Sequence, residues 1–398
     1  MTLLEEARLS PTSFRALLAL IVVFVMLGTT GWTAIHQHGP GDPRSAQLSA
    51  WMRGTVGARK LPDPDSAPSA VARFFSSLSN AQRLRLATRY PLVVGNLNGA
   101  PLTLRYRANR TALTEARTVE TRLSTSDKLT PYGRRDAGRT AHRYTSLLSG
   151  HRQILAFDPS GSGLAAEVFG DLDTAGRVSI VVPGVDTNML TFERTNKAYA
   201  APVGMATALY GAEQAVDPGA KTAVIAWADY TTPSGLGLDA STGSMAERGA
   251  TRLNALLTAL PQHAEVSLFC HSYGSVLCGV AAPDLPPHQV SDITVFGSPG
   301  MRVRHASQLH TTANIWAARD SNDWISDVPH LEFAGLGHGA DPVSGSFGAR
   351  VISAAGASGH PGYFAPGTTS LANFTEIALG RYTSVACRNG DTCTAGLS

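Results

Sequence analysis

Cysteine is scarce in this chain, with Cys270, Cys278, Cys387 and Cys393 the only four in 398 residues. Their spacing matches no zinc pattern and no histidine pair stands near them at finger spacing, so no metal site is expected. Charge is sparse too: 16% charged against 43% hydrophobic residues, a globular rather than a disordered composition. Internal repeats and low-complexity tracts are absent. The arginines come without an interleaved aromatic platform or a recognised nucleic-acid module, which removes nucleic acid as an expected partner.

Long apolar runs are also wanting, except for the uncharged stretch Ala16 to Ile35 (ALLALIVVFVMLGTTGWTAI). That length spans a bilayer as a helix. Arg8 and Arg15 precede it, and Trp32 sits near its far end, where interfacial aromatics collect. A small-x-small cleavage pattern is poor, since cleavage after Ala34 would put Trp32 at minus three. The stretch therefore reads as an uncleaved transmembrane signal anchor over 16–35, behind a cytoplasmic tail over 1–15. The rest of the chain then lies outside the cytoplasm, at the cell membrane or, if the segment is cleaved, secreted.

Residues 36–68, rich in Pro, Gly, Asp and Ser, read as a linker. Residues 69–150 read as helical, with Ser79 to Gln82 suiting a helix start and Pro91 a stop. The formal charge of +3 hides an asymmetry: residues 51–153 carry 18 Lys/Arg against 6 Asp/Glu, and residues 154–398 carry 12 against 21. The basic region suits anionic lipid head groups or an acidic envelope polymer. It suits equally well solvated helix faces paired with the acidic half.

From about Arg152 the period changes. Short apolar runs at Ile154–Phe157, Ala165–Phe169, Val178–Val182, Thr222–Trp227, Val266–Phe269, Ile293–Phe296 and Asn314–Ala318 alternate with helical text such as Ser244–Leu260. Alternating strands and helices indicate an α/β fold, with a doubly wound, mostly parallel sheet over 151–386 and a tail over 387–398. A site would lie in the loops at the carboxyl ends of the strands.

One such loop carries the strongest chemical signal. Cys270-His271-Ser272-Tyr273-Gly274 joins an apolar strand to a helical run. A serine on a sharp strand-to-helix turn, with small residues two positions either side, is the nucleophile elbow of an α/β-hydrolase. Here Cys270 stands where glycine is usual. Serine needs a histidine base oriented by a carboxylate, in the chain order Ser, Asp or Glu, His. Asp320 and Asp323 both follow the strand ending at Ala318, with Asp327 and Asp341 as weaker choices. His360 fits the base, and His338 competes with it. The oxyanion needs backbone donors: the Tyr273 N–H and one from the Gly184–Val185 turn, where glycine allows close approach.

With these residues in place the chain resembles the actinobacterial α/β-hydrolases long catalogued as a domain of unknown function, from about Phe74 to Gly380. The likeness is carried by Leu78-Ser79 with Gln82, Tyr90-Pro91, Val94 to Pro101, Ala108-Asn109-Arg110, Gly170 to Ala175, Val182-Pro183-Gly184, Ala226-Trp227, His271 to Ser275, Gly297 to Gly300, and Gly359-His360 with Tyr363-Phe364. Cys270 and Pro361-Gly362 depart from the family pattern. The resemblance implies an α/β-hydrolase fold and hydrolase chemistry, and places the acid at Asp323, with Asp320 as alternate.

The expectation is an extracytoplasmic serine hydrolase, chiefly an esterase on a small-molecule or lipid-like ester, using Ser272, His360 and Asp323 and needing no cofactor. Peptidase or thioesterase activity is the nearer alternative. A non-catalytic envelope-binding protein on a hydrolase scaffold is the more distant one. In an exported chain the cysteines pair: Cys270 with Cys278 across the elbow, and Cys387 with Cys393 around a short polar turn.

Overall fold

The computed structural model describes residues 42–330, 332–333, 336–390 and 392–397. The expected anchor Ala16–Ile35 lies outside them, as does the tail 1–15. Among the described residues no helix is long and apolar enough to cross a membrane.

Eight strands form one sheet: β1 Gln153–Asp158, β2 Leu164–Gly170, β3 Arg177–Val182, β4 Thr222–Ala228, β5 Glu265–His271, β6 Val290–Phe296, β7 Asn314–Ala318 and β8 Arg350–Val351. Their order across it is β1-β2-β4-β3-β5-β6-β7-β8. β2 runs antiparallel to β1 and β4; every other neighbouring pair is parallel. The chain leaves β3 to one side for β4 and returns to the other side for β5. That reversal opens a crevice beyond the carboxyl ends of the central strands.

Both faces of the sheet are buried, so the central strands read as continuous apolar runs rather than alternating ones. Ile180, Leu268, Cys270 and Val295 face helices α7 Ser244–Leu257 and α8 Tyr273–Ala281. Their neighbours Val181, Phe269 and Phe296 face α6 Pro202–Val216 and α9 Thr369–Ala378. Each such side chain, fully buried, contributes roughly 1.5–3 kcal/mol over an exposed one.

The N-terminal helices have their own core, built on Trp51, Phe75, Leu86 and Tyr90. They comprise α1 Pro43–Met52, α2 Pro68–Ser76, α3 Asn80–Arg89 and the start of α4 Leu102–Leu123, while α5 Pro131–Leu148 packs Tyr144 and Leu147 into the core of the sheet. They also close the β1 edge of the sheet. The Asn96 side chain exchanges two hydrogen bonds with the Phe157 backbone, at 2.8 and 3.0 Å, as a neighbouring strand would. Asn109 donates to Ile154 O at 2.8 Å and Arg105 to Leu155 O at 3.0 Å. An open edge is a template for unwanted pairing, and this one is capped by side chains.

Two boundaries differ from the sequence reading. Within the expected linker 36–68, α1 begins at Pro43, its first turn capped by Asp42. Trp51 on α1 is fully buried, and its indole N–H donates to Pro62 O at 2.7 Å. The turn-forming composition masked a helix that buries Trp51, with Leu48 and Ala50 packed beside it. The expected tail 387–398 is likewise tied down. Cys387 bonds to Cys393, and Arg350 donates to Cys393 O at 2.7 Å.

Candidate active site

Ser272 lies between the end of β5 and the start of α8, with φ 51° and ψ −124°. A side chain at positive φ is strained, and such strain persists only where the surroundings impose it. Here the strand below, the helix beyond and the Ser272 N–H bond to Phe296 O at 3.1 Å fix the turn. Gly274 packs on the end of β3: a Cβ there would lie 2.5 Å from Val182 O. At the other small position, Cys270 bonds to Cys278 with their Cα atoms 6.5 Å apart, tying strand to helix across the elbow.

Asp323, after β7, meets the His360 loop after β8. Nδ1–H of His360 donates to Asp323 Oδ1 at 2.8 Å, which leaves the Nε2 lone pair open in the neutral ring. Burial alone would raise the Asp323 carboxyl. Hydrogen bonds from His360, Tyr363 and the Ile325 N–H outweigh it and hold the group below its ordinary value. Gly297 makes room for the pair, since a Cβ there would stand 3.0 Å from both Asp323 and the imidazole. Ser272 Oγ and His360 make no direct hydrogen bond among the described residues; such contacts often tighten only around substrate.

Asp320 does different work. Its Oδ2 accepts from the Gly359 N–H at 2.8 Å and the Asn322 N–H at 3.2 Å, holding the loop that carries His360. Asp341 pairs with Arg319 at 2.7 Å, and Asp327 is exposed. His338 has no carboxylate partner among the described residues. Its Nε2 donates to Ala240 O at 2.6 Å, and its ring stands edge-on to Tyr273 at 5.7 Å.

Three residues to which the sequence reading gave no role complete the surroundings. Tyr363 donates to Asp323 Oδ2 at 2.6 Å and accepts from the Asp320 N–H at 3.0 Å. His271 donates from Nε2 to His360 O at 2.9 Å, and its ring lies 4.6 Å from the His360 ring. Burial, with the nearby His360, pushes the His271 pKa down to about 3, so it is a neutral prop at working pH. Trp324 covers His360 from solvent, ring to ring at 4.6 Å. A tyrosine three residues after the histidine was the one sequence signal available.

On the opposite side stands the Pro183–Gly184 turn at the end of β3. A Cβ at Gly184 would lie 2.6 Å from Ser272 Cβ and 3.0 Å from its Oγ, so this backbone lies directly against the serine. Tyr230 pins the turn by donating to Pro183 O at 2.6 Å. Tyr273 opens α8, so its N–H has no acceptor within the helix and points out at the positive end of the helix dipole. Its side chain is anchored by donation to Thr242 O at 2.8 Å. Among the described residues no three His, Cys, Asp or Glu side chains gather as a metal set.

Strand order, elbow and the Asp–His loops together decide the architecture. The fold is that of an α/β-hydrolase. Residues 158–333 match the family model described as alpha/beta hydrolase. An uncharacterized protein of Mycobacterium tuberculosis is 27% identical over 384 residues, covering 82% of this chain and 58% of that protein. The chain thus spans under two thirds of that relative's length. An uncharacterized protein of Mycobacterium bovis is 35% identical over 175 residues, 42% of this chain and 63% of its own. Among solved structures, an α/β serine hydrolase without a lid from Xanthomonas campestris is 14% identical, with a TM-score of 0.32, covering 58% of this chain and 94% of that one. A thermostable carboxyl esterase from Bacillus coagulans is 16% identical, with a TM-score of 0.23, covering 40% and 47%.

Proposed function

We propose that this protein is a serine hydrolase that cleaves carboxylic esters through Ser272, His360 and Asp323. The observation that carries the reading is the Asp323–His360 hydrogen bond, made in a loop set that faces a serine at positive φ. In the first half-reaction Ser272 Oγ attacks the ester carbonyl carbon and its proton passes to His360 Nε2. Asp323 holds Nδ1–H and stabilises the imidazolium so formed. The oxyanion takes hydrogen bonds from the Tyr273 N–H and the Gly184–Val185 turn. His360 returns the proton to the leaving alkoxy oxygen and an acyl-serine remains. Water then attacks with His360 again as base, releasing the acid and restoring Ser272.

The same machinery suits a thioester or peptide carbonyl, so acyl specificity is a separate question. Two disulfides support an oxidising, extracytoplasmic setting, with Ala16–Ile35 as the proposed membrane anchor. Arg143 and Arg152 of the basic region pair with Glu193, and Arg152 also with Glu167. Part of the charge asymmetry is thereby satisfied within the fold, which weakens the case for a polyanion-binding role. The test is hydrolysis of p-nitrophenyl esters by wild type and Ser272→Ala: wild-type turnover lost in the variant supports the reading, and equal turnover refutes it.

A further inference from the structure

Arg105 is 4% exposed and has no carboxylate within ion-pair distance among the described residues. Its Nε donates to Gly95 O at 3.2 Å, Nη1 to Asn98 Oδ1 at 3.2 Å and Nη2 to Leu155 O at 3.0 Å. A guanidinium carries five N–H donors. One N–H on Nη1 and one on Nη2 are therefore left over, charged donors available to an anion.

The residue lines two adjoining cavities of about 500 and 430 Å³, between the N-terminal helices and the sheet. This is the size range of small-molecule sites. The other charges lining the two cavities are already matched or solvated: Arg44 with Asp158, Arg252 with Asp229, and Asp65 and Asp173 exposed. One positive charge remains. Burial holds its pKa down to about 10, partly offset by Asp229. The apolar wall includes Leu97, Leu155, Trp227 and Leu256. Neither Ser272, Asp323 nor His360 lines either cavity.

We propose that this cavity binds an amphiphile with a single carboxylate head, the head on the free N–H groups of Arg105 and the apolar chain along Leu155, Trp227 and Leu256. A monoanion neutralises the one unmatched charge, whereas a phosphate dianion would bring a second charge with no partner.

Titration calorimetry on the full-length protein with decanoate below its micelle concentration tests this, beside decanol and monodecyl phosphate. Two variants serve: Arg105→Gln removes the guanidinium, and Ala255→Phe fills the groove at a second position. Thermal melting reports whether each variant folds. The expected result is one decanoate site in the wild type, weakened about tenfold or more in each folded variant. Decanol and monodecyl phosphate should bind more weakly than decanoate. If Arg105→Gln does not fold, Ala255→Phe decides alone. Absence of decanoate binding, unchanged binding in folded variants (as at the catalytic serine or the N-terminal apolar stretch), or equal or tighter binding of either control overturns the proposal.

Discussion

The Tyr363 hydroxyl donates to Asp323 Oδ2 at 2.6 Å, so one buried carboxylate holds both Tyr363 and the His360 imidazole, whose Nδ1–H donates to Oδ1 at 2.8 Å. The tyrosine also accepts the Asp320 N–H at 3.0 Å. It thereby ties the loop that carries both aspartates to the loop that carries His360.

Tyr363→Phe keeps the ring packing and removes both bonds. We expect kcat/KM for ester hydrolysis to fall about tenfold, in line with the net worth of one or two hydrogen bonds to a charged group. Asp323→Asn should cost orders of magnitude, because the imidazole tautomer is then no longer held. Asp320→Asn should cost far less, since its bonds shape the loop rather than the ring. Steady-state kinetics on the three variants gives the ranking; a larger loss at Asp320 than at Asp323 would transfer the acid role.

Gly184→Ala should nearly abolish turnover while leaving the protein folded. The added methyl would sit 2.6 Å from Ser272 Cβ, 3.0 Å from Oγ and 3.1 Å from the His271 carbonyl oxygen. A displacement of the order of 1 Å at a nucleophile costs about a hundredfold. Activity within a few fold of wild type, with an unchanged melting temperature, would mean the turn does not border the reacting atoms.

Stability should carry two opposed pH dependences. Glu213 on α6 is fully buried, accepting from Ser179 Oγ at 2.9 Å. Burial raises its pKa from 4.5 to about 7, against smaller effects of the Thr222 and Ser179 bonds. The folded state then binds the extra proton between those values, so this contribution is full below pH 4.5 and is lost as pH rises through about 7. His271 acts the other way. Its pKa falls from 6.5 to about 3, so the unfolded chain binds more protons in that window and stability drops on acidification through it. Glu213→Gln should therefore raise the melting temperature at pH 8 and lose that advantage near pH 4.5. A tenfold difference in proton affinity between the folded and unfolded chain is worth about 1.4 kcal/mol, enough to read in a melting curve. Equal gains at both pH values would show that Glu213 is not protonated in the fold.

The sheet was legible because its strands are buried on both faces and stand as uninterrupted apolar runs between helical periods. The elbow was legible because a serine between small residues at a strand-to-helix junction has few structural uses. Asp320 and Asp323 were harder to separate. Both sit in one loop, three residues apart, and only the direction each carboxylate faces gives one the imidazole and the other the Gly359 N–H. Tyr363, His271 and Trp324 went unassigned because their roles depend on three loops meeting in space. The helix Pro43–Met52 escaped because a proline at its first position and a few apolar residues look locally like a linker.

The most direct measurement is the site of covalent capture. A fluorophosphonate, which esterifies only a serine activated by a neighbouring base, is incubated with the protein, and the adduct is mapped by mass spectrometry of proteolytic peptides. The expected result is a single adduct on Ser272, slowed by excess ester substrate and lost in His360→Ala. An adduct elsewhere, or none under conditions that label a control esterase, would contradict it.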